Sequence, residues 1–90
     1  MKLTILGCSG SLAAPGNPGS SYVVSVPGNS DIVLDFGPGA LAAMQEHFDP
    51  ADAHVCFSHL HADHCSDIAS LLVWRRYHPT KPVSYTHLTL

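Results

Sequence analysis

Hydrophobic and polar positions alternate in three short stretches near the start of the chain, a pattern typical of β-strands. The apolar members of these stretches are Leu3, Ile5, Tyr22, Val24, Val26, Ile32, Val33 and Leu34. Pro27-Gly28 separates the second stretch from the third, and this is the proline-glycine order that a type II turn requires. We therefore predict one strand, a loop of small residues over 7–19, and then a β-hairpin.

A helical period follows the hairpin. Leu41, Met44 and Phe48 recur at spacings of three and four, which predicts a short helix over residues 40–48 that ends at Asp49-Pro50. The brief apolar run 55–57 then predicts a fourth strand.

A second helix is predicted from the broad apolar face of residues 68–74. Ser66 is placed to cap this helix, Asp67 lies in its first turn, and Arg75-Arg76 lie in its last turn, where positive charge is favourable. The order strand, hairpin, helix, strand, helix predicts an α/β layer architecture.

Length and composition narrow the class of protein. Ninety residues permit one modest core but not a second domain, and 46% hydrophobic with 12% charged residues indicates a globular chain rather than a disordered one. Only four residues are Lys or Arg, and the formal net charge is −3. This segment therefore does not support nucleic-acid binding, which needs a basic surface.

The cysteines and the start of the chain indicate the cellular compartment of the protein. Three cysteines form no CxxC pair, and an odd number argues against a disulfide framework, so we expect a cytoplasmic protein. The apolar stretch after Lys2 is too short for a signal peptide, and no apolar run approaches the roughly 20 residues of a membrane helix. We expect no membrane partner.

Four metal-binding side chains, those of His59, His61, Asp63 and His64, lie within six residues directly after the fourth predicted strand. Imidazole and carboxylate suit zinc and other divalent first-row metals. In an extended turn, His59 and His61 share a side and can chelate one ion, while Asp63 and His64 can reach a second. Two such ions activate water near neutral pH, so hydrolysis is the natural reaction class. The alternatives are solvated loop histidines and a structural zinc.

The segment from Ser58 to His64 matches the HxHxDH signature, and the chain thereby resembles the metallo-β-lactamase superfamily. The resemblance implies that the chain is the N-terminal half of an αββα sandwich with two Zn2+ ions. It assigns His59 and His61 to the first zinc, Asp63 and His64 to the second, and to Asp63 also the catalytic task of orienting the nucleophilic water. Asp35 would lie near the site as an acceptor that orients a ligand histidine; the alternative is a turn-forming aspartate.

Residues 6–11, 20–22 and 35–39 are similar to the ribonuclease Z and cyclic-nucleotide phosphodiesterase branch of this family. We therefore expect a phosphodiester substrate, although a small-molecule substrate stays open. The rival enzyme hydrolyses a lactone, thioester or β-lactam on the same site. The alternative to an enzyme is a non-catalytic zinc-binding module. The sequence also leaves open a homodimer of the full-length protein.

The family resemblance covers residues 1–82, and we expect residues 83–90 to be a non-native tail. This tail resembles translated sequencing-adapter DNA, so His87 is not assigned to the site and the natural sequence is expected to differ after about Pro82. Family members supply the third histidine of the first zinc, a bridging Asp and the last histidine of the second zinc further along the chain. We expect residues 1–90 alone to bind metal weakly, to be inactive, to expose apolar surface and to elute as aggregate or larger than a monomer.

Overall fold

The strands lie in one sheet and follow the order of the sequence, in a computed structural model that describes residues 1–77 and 88–89. The strands are β1 (Lys2–Gly7), β2 (Ser21–Ser25), β3 (Ile32–Leu34), β4 (His54–Cys56) and β5 (Leu88–Thr89). The helices are α1 (Ala40–Met44), α2 (Ala62–Cys65) and α3 (Ile68–Arg76), with a 3-10 turn at Pro50–Asp52. The predicted α/β class is confirmed.

The hairpin forms as its turn residues predict. β1, β2 and β3 pair antiparallel, and the backbone N–H of Asn29 donates to the carbonyl of Val26 at 3.1 Å. Gly28 has a φ of 82°, the positive value that a type II turn requires at its third residue. β3 and β4 are parallel, so the chain must cross over between them, and it does so through α1 and the 3-10 turn.

One face of the sheet carries the core. Val23, Val33 and Val55 occupy registered positions on β2, β3 and β4, and each is at most 1% exposed. They share one cluster with Met44 of α1 and Leu71 of α3, so the helices cover this face. Each such side chain contributes roughly 1.5–3 kcal/mol by leaving water, which makes this cluster the main support of the sheet.

The opposite face of the sheet is apolar and exposed. Leu3 and Ile5 of β1 and Ile32 and Leu34 of β3 are 40–62% exposed. Their registered partners on β2 are Tyr22 and Val24, so all six side chains share this face. The chain thus presents the uncovered apolar surface that the sequence analysis expected.

Both helix predictions are right in position and differ at the ends. α1 stops at Met44 because the N–H groups of Glu46 and His47 bond three residues back, which tightens the chain before Pro50. α3 begins at Ile68, two residues after the predicted cap at Ser66.

The charged ends of α3 make tertiary contacts that the sequence analysis did not predict. Asp67 accepts a 2.7 Å hydrogen bond from the backbone N–H of Leu41 and so ties α3 to α1. Arg75 is buried, and its guanidinium donates to the carbonyls of Pro50 and Ala53. Burial lowers the pKa of Arg75 from its ordinary value, although the charges of Asp52 and Asp49 oppose that shift. The two ends of α3 therefore join it to the rest of the fold.

Of the last residues, the structure describes only β5, which pairs with β4 in parallel. β5 falls within the tail that the sequence analysis set aside, whereas the expected boundary near Pro82 and the unassigned His87 lie outside the described residues. Among the described residues, no helix is both long enough and apolar enough to cross a membrane.

Candidate metal centre

The site forms where two parallel strands end at the same edge of the sheet. Asp35 directly follows β3, and Ser58 comes two residues after β4. The backbone N–H of Asp35 donates to the carbonyl of Cys56 at 2.8 Å, so the two strand ends stay in register as the chain leaves them. Residues 58–64, here called the motif loop, start at this edge.

Asp35 turns the chain sharply and points its carboxylate at the motif loop. Its φ is +60°, in the left-handed region that Asp and Asn tolerate better than most other non-glycine residues. Oδ1 accepts the backbone N–H of Ser58 at 2.8 Å, and the Ser58 hydroxyl lies 2.8 Å from Oδ2. Nδ1 of His64 lies 2.9 Å from Oδ2. Three donors of the protein therefore hold this carboxylate in place.

Two opposing influences act on the pKa of Asp35. Burial raises it, while the hydrogen bonds from the Ser58 backbone, His64 and the Ser58 hydroxyl lower it, together with the charge that His64 can carry. The hydrogen bonds win, and the pKa of Asp35 falls below its ordinary value of 3.8. Asp35 is thus a carboxylate, not a carboxylic acid, at neutral pH.

α2 carries Asp63 and His64 on one helical turn that is bound to the chain beside Asp35. The N–H of Phe36 donates to the carbonyl of His64 at 2.7 Å. A Cβ atom on Gly37 would lie only 2.6 Å from the carbonyl oxygen of Asp63, so a glycine is needed for the two segments to approach this closely.

The second nitrogen of His64 faces the other carboxylate. Nε2 of His64 lies 3.3 Å from Oδ2 of Asp63. In the neutral ring whose Nδ1–H donates to Asp35, Nε2 has a lone pair and no proton, so two acceptors face each other. A proton on Nε2, which would let the ring donate to both carboxylates, or a cation beside the two atoms would satisfy both of them. The arrangement therefore fits a divalent metal.

His59 and His61 bring two more rings to the same place. The His59 ring centroid is 4.7 Å from that of His61 and 4.1 Å from that of His64. Across the described chain, no three His, Cys, Asp or Glu side chains are arranged to hold a single ion. The ring of His59 thus neighbours the rings of both His61 and His64.

The structure thus brings together all the residues that the sequence analysis named for the site. These are His59, His61, Asp63, His64 and Asp35. That the first four bind metal, and that Asp63 orients water, stay predictions. The Cys65 thiol lies 3.5 Å from the carbonyl of His61, a weak hydrogen bond to the backbone.

Two serines of the site have no predicted role in the sequence analysis. Ser58 bonds Asp35 and also lies 3.0 Å from Nδ1 of His59. The Ser11 hydroxyl, from the loop after β1, donates to Oδ2 of Asp63 at 3.4 Å. Ser58 directly precedes the motif and could have been found from its place there, whereas Ser11 is 52 residues from its partner and has no local signal.

Comparison with known proteins decides the family. Residues 14–88 match the family model described as the metallo-beta-lactamase superfamily. The chain belongs to the metallo-beta-lactamase superfamily. An uncharacterized protein of Mycobacterium leprae is 55% identical over 83 residues, which are 92% of this chain and 29% of that protein. A ribonuclease Z of Lachnospira eligens is 36% identical over 76 residues, 81% of this chain and 24% of that protein.

A solved structure supports the same superfamily assignment. The metallo-beta-lactamase fold protein YhfI from Bacillus subtilis has a TM-score of 0.76 at 27% identity, over 82% of this chain and 30% of that one. The expected fold is therefore confirmed: the sheet and helices described above match a part of the metallo-beta-lactamase fold. The chain spans less than a third of the length of the relatives named here.

Proposed function

We propose that the full-length protein is a metal-dependent hydrolase that cleaves phosphodiester bonds with the help of two zinc ions. The observation that carries the proposal is the approach of Nε2 of His64 to Oδ2 of Asp63 at 3.3 Å, inside a group of three histidine rings. Neutral histidines and a carboxylate on an exposed loop are the donor set that catalytic zinc sites use.

The four ligands divide between the two ions in this proposal. His59 and His61 hold the first ion, and Asp63 and His64 hold the second. Further ligands come from parts of the full-length protein beyond this chain, because two side chains leave a zinc shell incomplete. Other divalent first-row metals accept the same donors.

The residues of the chain prepare the site before any substrate arrives. Asp35 holds Nδ1 of His64, which keeps Nε2 of that ring turned toward Asp63. When bound, the zinc ions supply Lewis acidity that acidifies water and stabilises negative charge on the substrate. Asp63 accepts a hydrogen bond from the attacking water and so orients it, which is its catalytic role.

The ribonuclease Z relative supports a phosphodiester substrate, since a ribonuclease cleaves such bonds. The net charge of −3 gives this segment no basic surface for a nucleic acid, so contacts to an extended substrate come from elsewhere in the protein. A small phosphodiester therefore tests the chemistry without those contacts.

The test measures zinc content and hydrolysis of bis(p-nitrophenyl) phosphate by the full-length protein. We expect two zinc ions per chain and turnover that is lost in His61→Ala. His47→Ala is the matched control, because His47 is exposed on the segment after α1 and is not one of the proposed ligands, so its loss should change neither quantity.

Three outcomes would contradict the proposal. Hydrolysis of a lactone, thioester or β-lactam without phosphodiester cleavage would favour the rival enzyme. One tightly held zinc without turnover on any of these substrates would favour the zinc-binding module. Equal zinc content and turnover in His61→Ala and His47→Ala would remove His61 from the site.

A further inference from the structure

We propose that Ser58 is a positioning residue that relays the charge of Asp35 to His59 and thereby makes Nε2 of His59 its metal-binding nitrogen. The inference about metal rests on the function proposed above. The inference about the proton on the His59 ring does not, because it follows from hydrogen bonds within the protein.

The direction of these hydrogen bonds follows from an inventory of donors. The Ser58 hydroxyl has one hydrogen and two neighbouring residues: the Asp35 carboxylate, with Oδ2 at 2.8 Å and Oδ1 at 3.1 Å, and Nδ1 of His59 at 3.0 Å. A carboxylate only accepts, so the hydroxyl hydrogen must go to Asp35. The Ser58 oxygen then accepts from His59, and the His59 proton must sit on Nδ1.

The reverse arrangement is unfavourable. A hydroxyl hydrogen turned toward His59 would leave two oxygen lone pairs facing each other across 2.8 Å between Ser58 and Asp35. The pair would then lose a charge-assisted hydrogen bond, which is about twice as strong as a neutral one. The neutral His59 ring therefore keeps Nδ1–H and has its lone pair on Nε2.

One carboxylate then sets the protons on two rings of the site. Asp35 accepts a hydrogen bond from Nδ1–H of His64 directly at 2.9 Å. It also accepts the Ser58 hydroxyl, whose oxygen in turn accepts from Nδ1–H of His59. The two ring centroids lie 4.1 Å apart. Asp35 and Ser58 together thus leave Nε2 free on both rings.

The hydroxyl relay can be removed while the backbone hydrogen bond from Ser58 to Asp35 stays in place. The backbone N–H of Ser58 donates separately to Oδ1 of Asp35 at 2.8 Å, and Ser58→Ala keeps that bond. Ser58→Thr keeps the hydroxyl as well. Ser70→Ala is the matched control, because Ser70 is exposed on α3.

The first experiment reads the proton position in the metal-free full-length protein by nitrogen NMR of labelled histidine. We expect Nδ1–H on neutral His59 in the unmutated protein, in Ser58→Thr and in Ser70→Ala. In Ser58→Ala we expect a mixture with Nε2–H. A proton on Nε2 of His59 in the unmutated protein would overturn the proposal, whatever the variants do.

The second experiment titrates zinc chloride into the same proteins by calorimetry. Removing a residue that hydrogen-bonds a ligand histidine typically weakens metal binding roughly 10–100-fold. We therefore expect Ser58→Ala to bind zinc about 10-fold more weakly. Ser58→Thr should restore most of the affinity. Equal zinc affinity and an unchanged His59 proton in Ser58→Ala would refute the relay. Nδ1–H on His59 without zinc binding in any protein would instead refute the proposed metal site and leave the relay standing.

Discussion

Asp35 and Asp63 are carboxylates of the same site, yet the protein uses their oxygens in opposite ways. The Asp35 side chain is 10% exposed and is surrounded by the Ser58 backbone, the Ser58 hydroxyl and His64. The Asp63 side chain is 30% exposed, and its contacts are a 3.4 Å hydrogen bond from Ser11 and the facing nitrogen of His64. The fold holds one carboxylate with three hydrogen bonds, and within the described residues the other has only one hydrogen bond from a side chain.

This difference means that one carboxylate stabilises the fold while its neighbour is available to bind a ligand. Loss of a buried, hydrogen-bonded carboxylate leaves its donors without partners, which costs stability. Loss of a partly exposed carboxylate with weak contacts costs little stability but removes whatever it would bind. Substitutions at positions 35 and 63 should therefore have different signatures.

Asp63→Ala should show the largest effect on activity and a small effect on folding. We expect loss of the second metal and of nearly all turnover, beyond the roughly 100-fold that loss of an outer partner costs. The melting temperature of the metal-free full-length protein should hardly change. Full activity in this variant would disprove the two-metal assignment.

Asp35→Asn should instead combine a loss of folding stability with a smaller loss of metal binding. Asparagine tolerates the same positive φ and keeps the shape, so the change isolates the charge. We expect the metal-free protein to lose about 1–3 kcal/mol of unfolding free energy in urea, because donors to the carboxylate lose their best acceptor. Zinc affinity should fall roughly 10–100-fold. An unchanged unfolding free energy would show that Asp35 is only a turn residue.

The pH dependence of the unfolding free energy should show that the ionised Asp35 carboxylate stabilises the fold. The pKa of Asp35 is lowered in the folded protein relative to the ordinary value of 3.8, so its ionised form stabilises the fold above about that pH. This contribution disappears as the pH falls through the lower, folded value. The difference in unfolding free energy between the metal-free unmutated protein and Asp35→Asn should therefore shrink in acid. A difference that is constant down to low pH would contradict this account.

Cys65→Ser should have the smallest effect. Its thiol bonds weakly to the backbone carbonyls of Leu60 and His61, and a hydroxyl can do the same. Zinc content and turnover should stay within error of the unmutated protein. A severe loss of bound zinc would show that the Cys65 sulfur is a ligand after all.

Local signals explain what could be predicted from the sequence. The type II turn follows from Pro27-Gly28 alone, and the ligand-type residues share a six-residue segment. The contacts of Asp35 depend on the parallel pairing of β3 with β4, which brings Ser58 to it from 23 residues away. Period and spacing carry no information about such pairing. For the same reason the sequence predicts a helix-end charge at Arg75 but not its buried hydrogen bonds to the 3-10 turn.

The backbone of Asp35 restricts which amino acids can occupy its position. Its φ of +60° favours Gly, Asn or Asp, while the hydrogen-bonding role of its side chain calls for a short carboxylate. Glycine and asparagine meet the first demand, glutamate meets only part of the second, and aspartate meets both. A sequence survey could therefore use this position as a filter: an HxHxDH motif whose upstream strand ends in another residue would need a different way to hold its histidines.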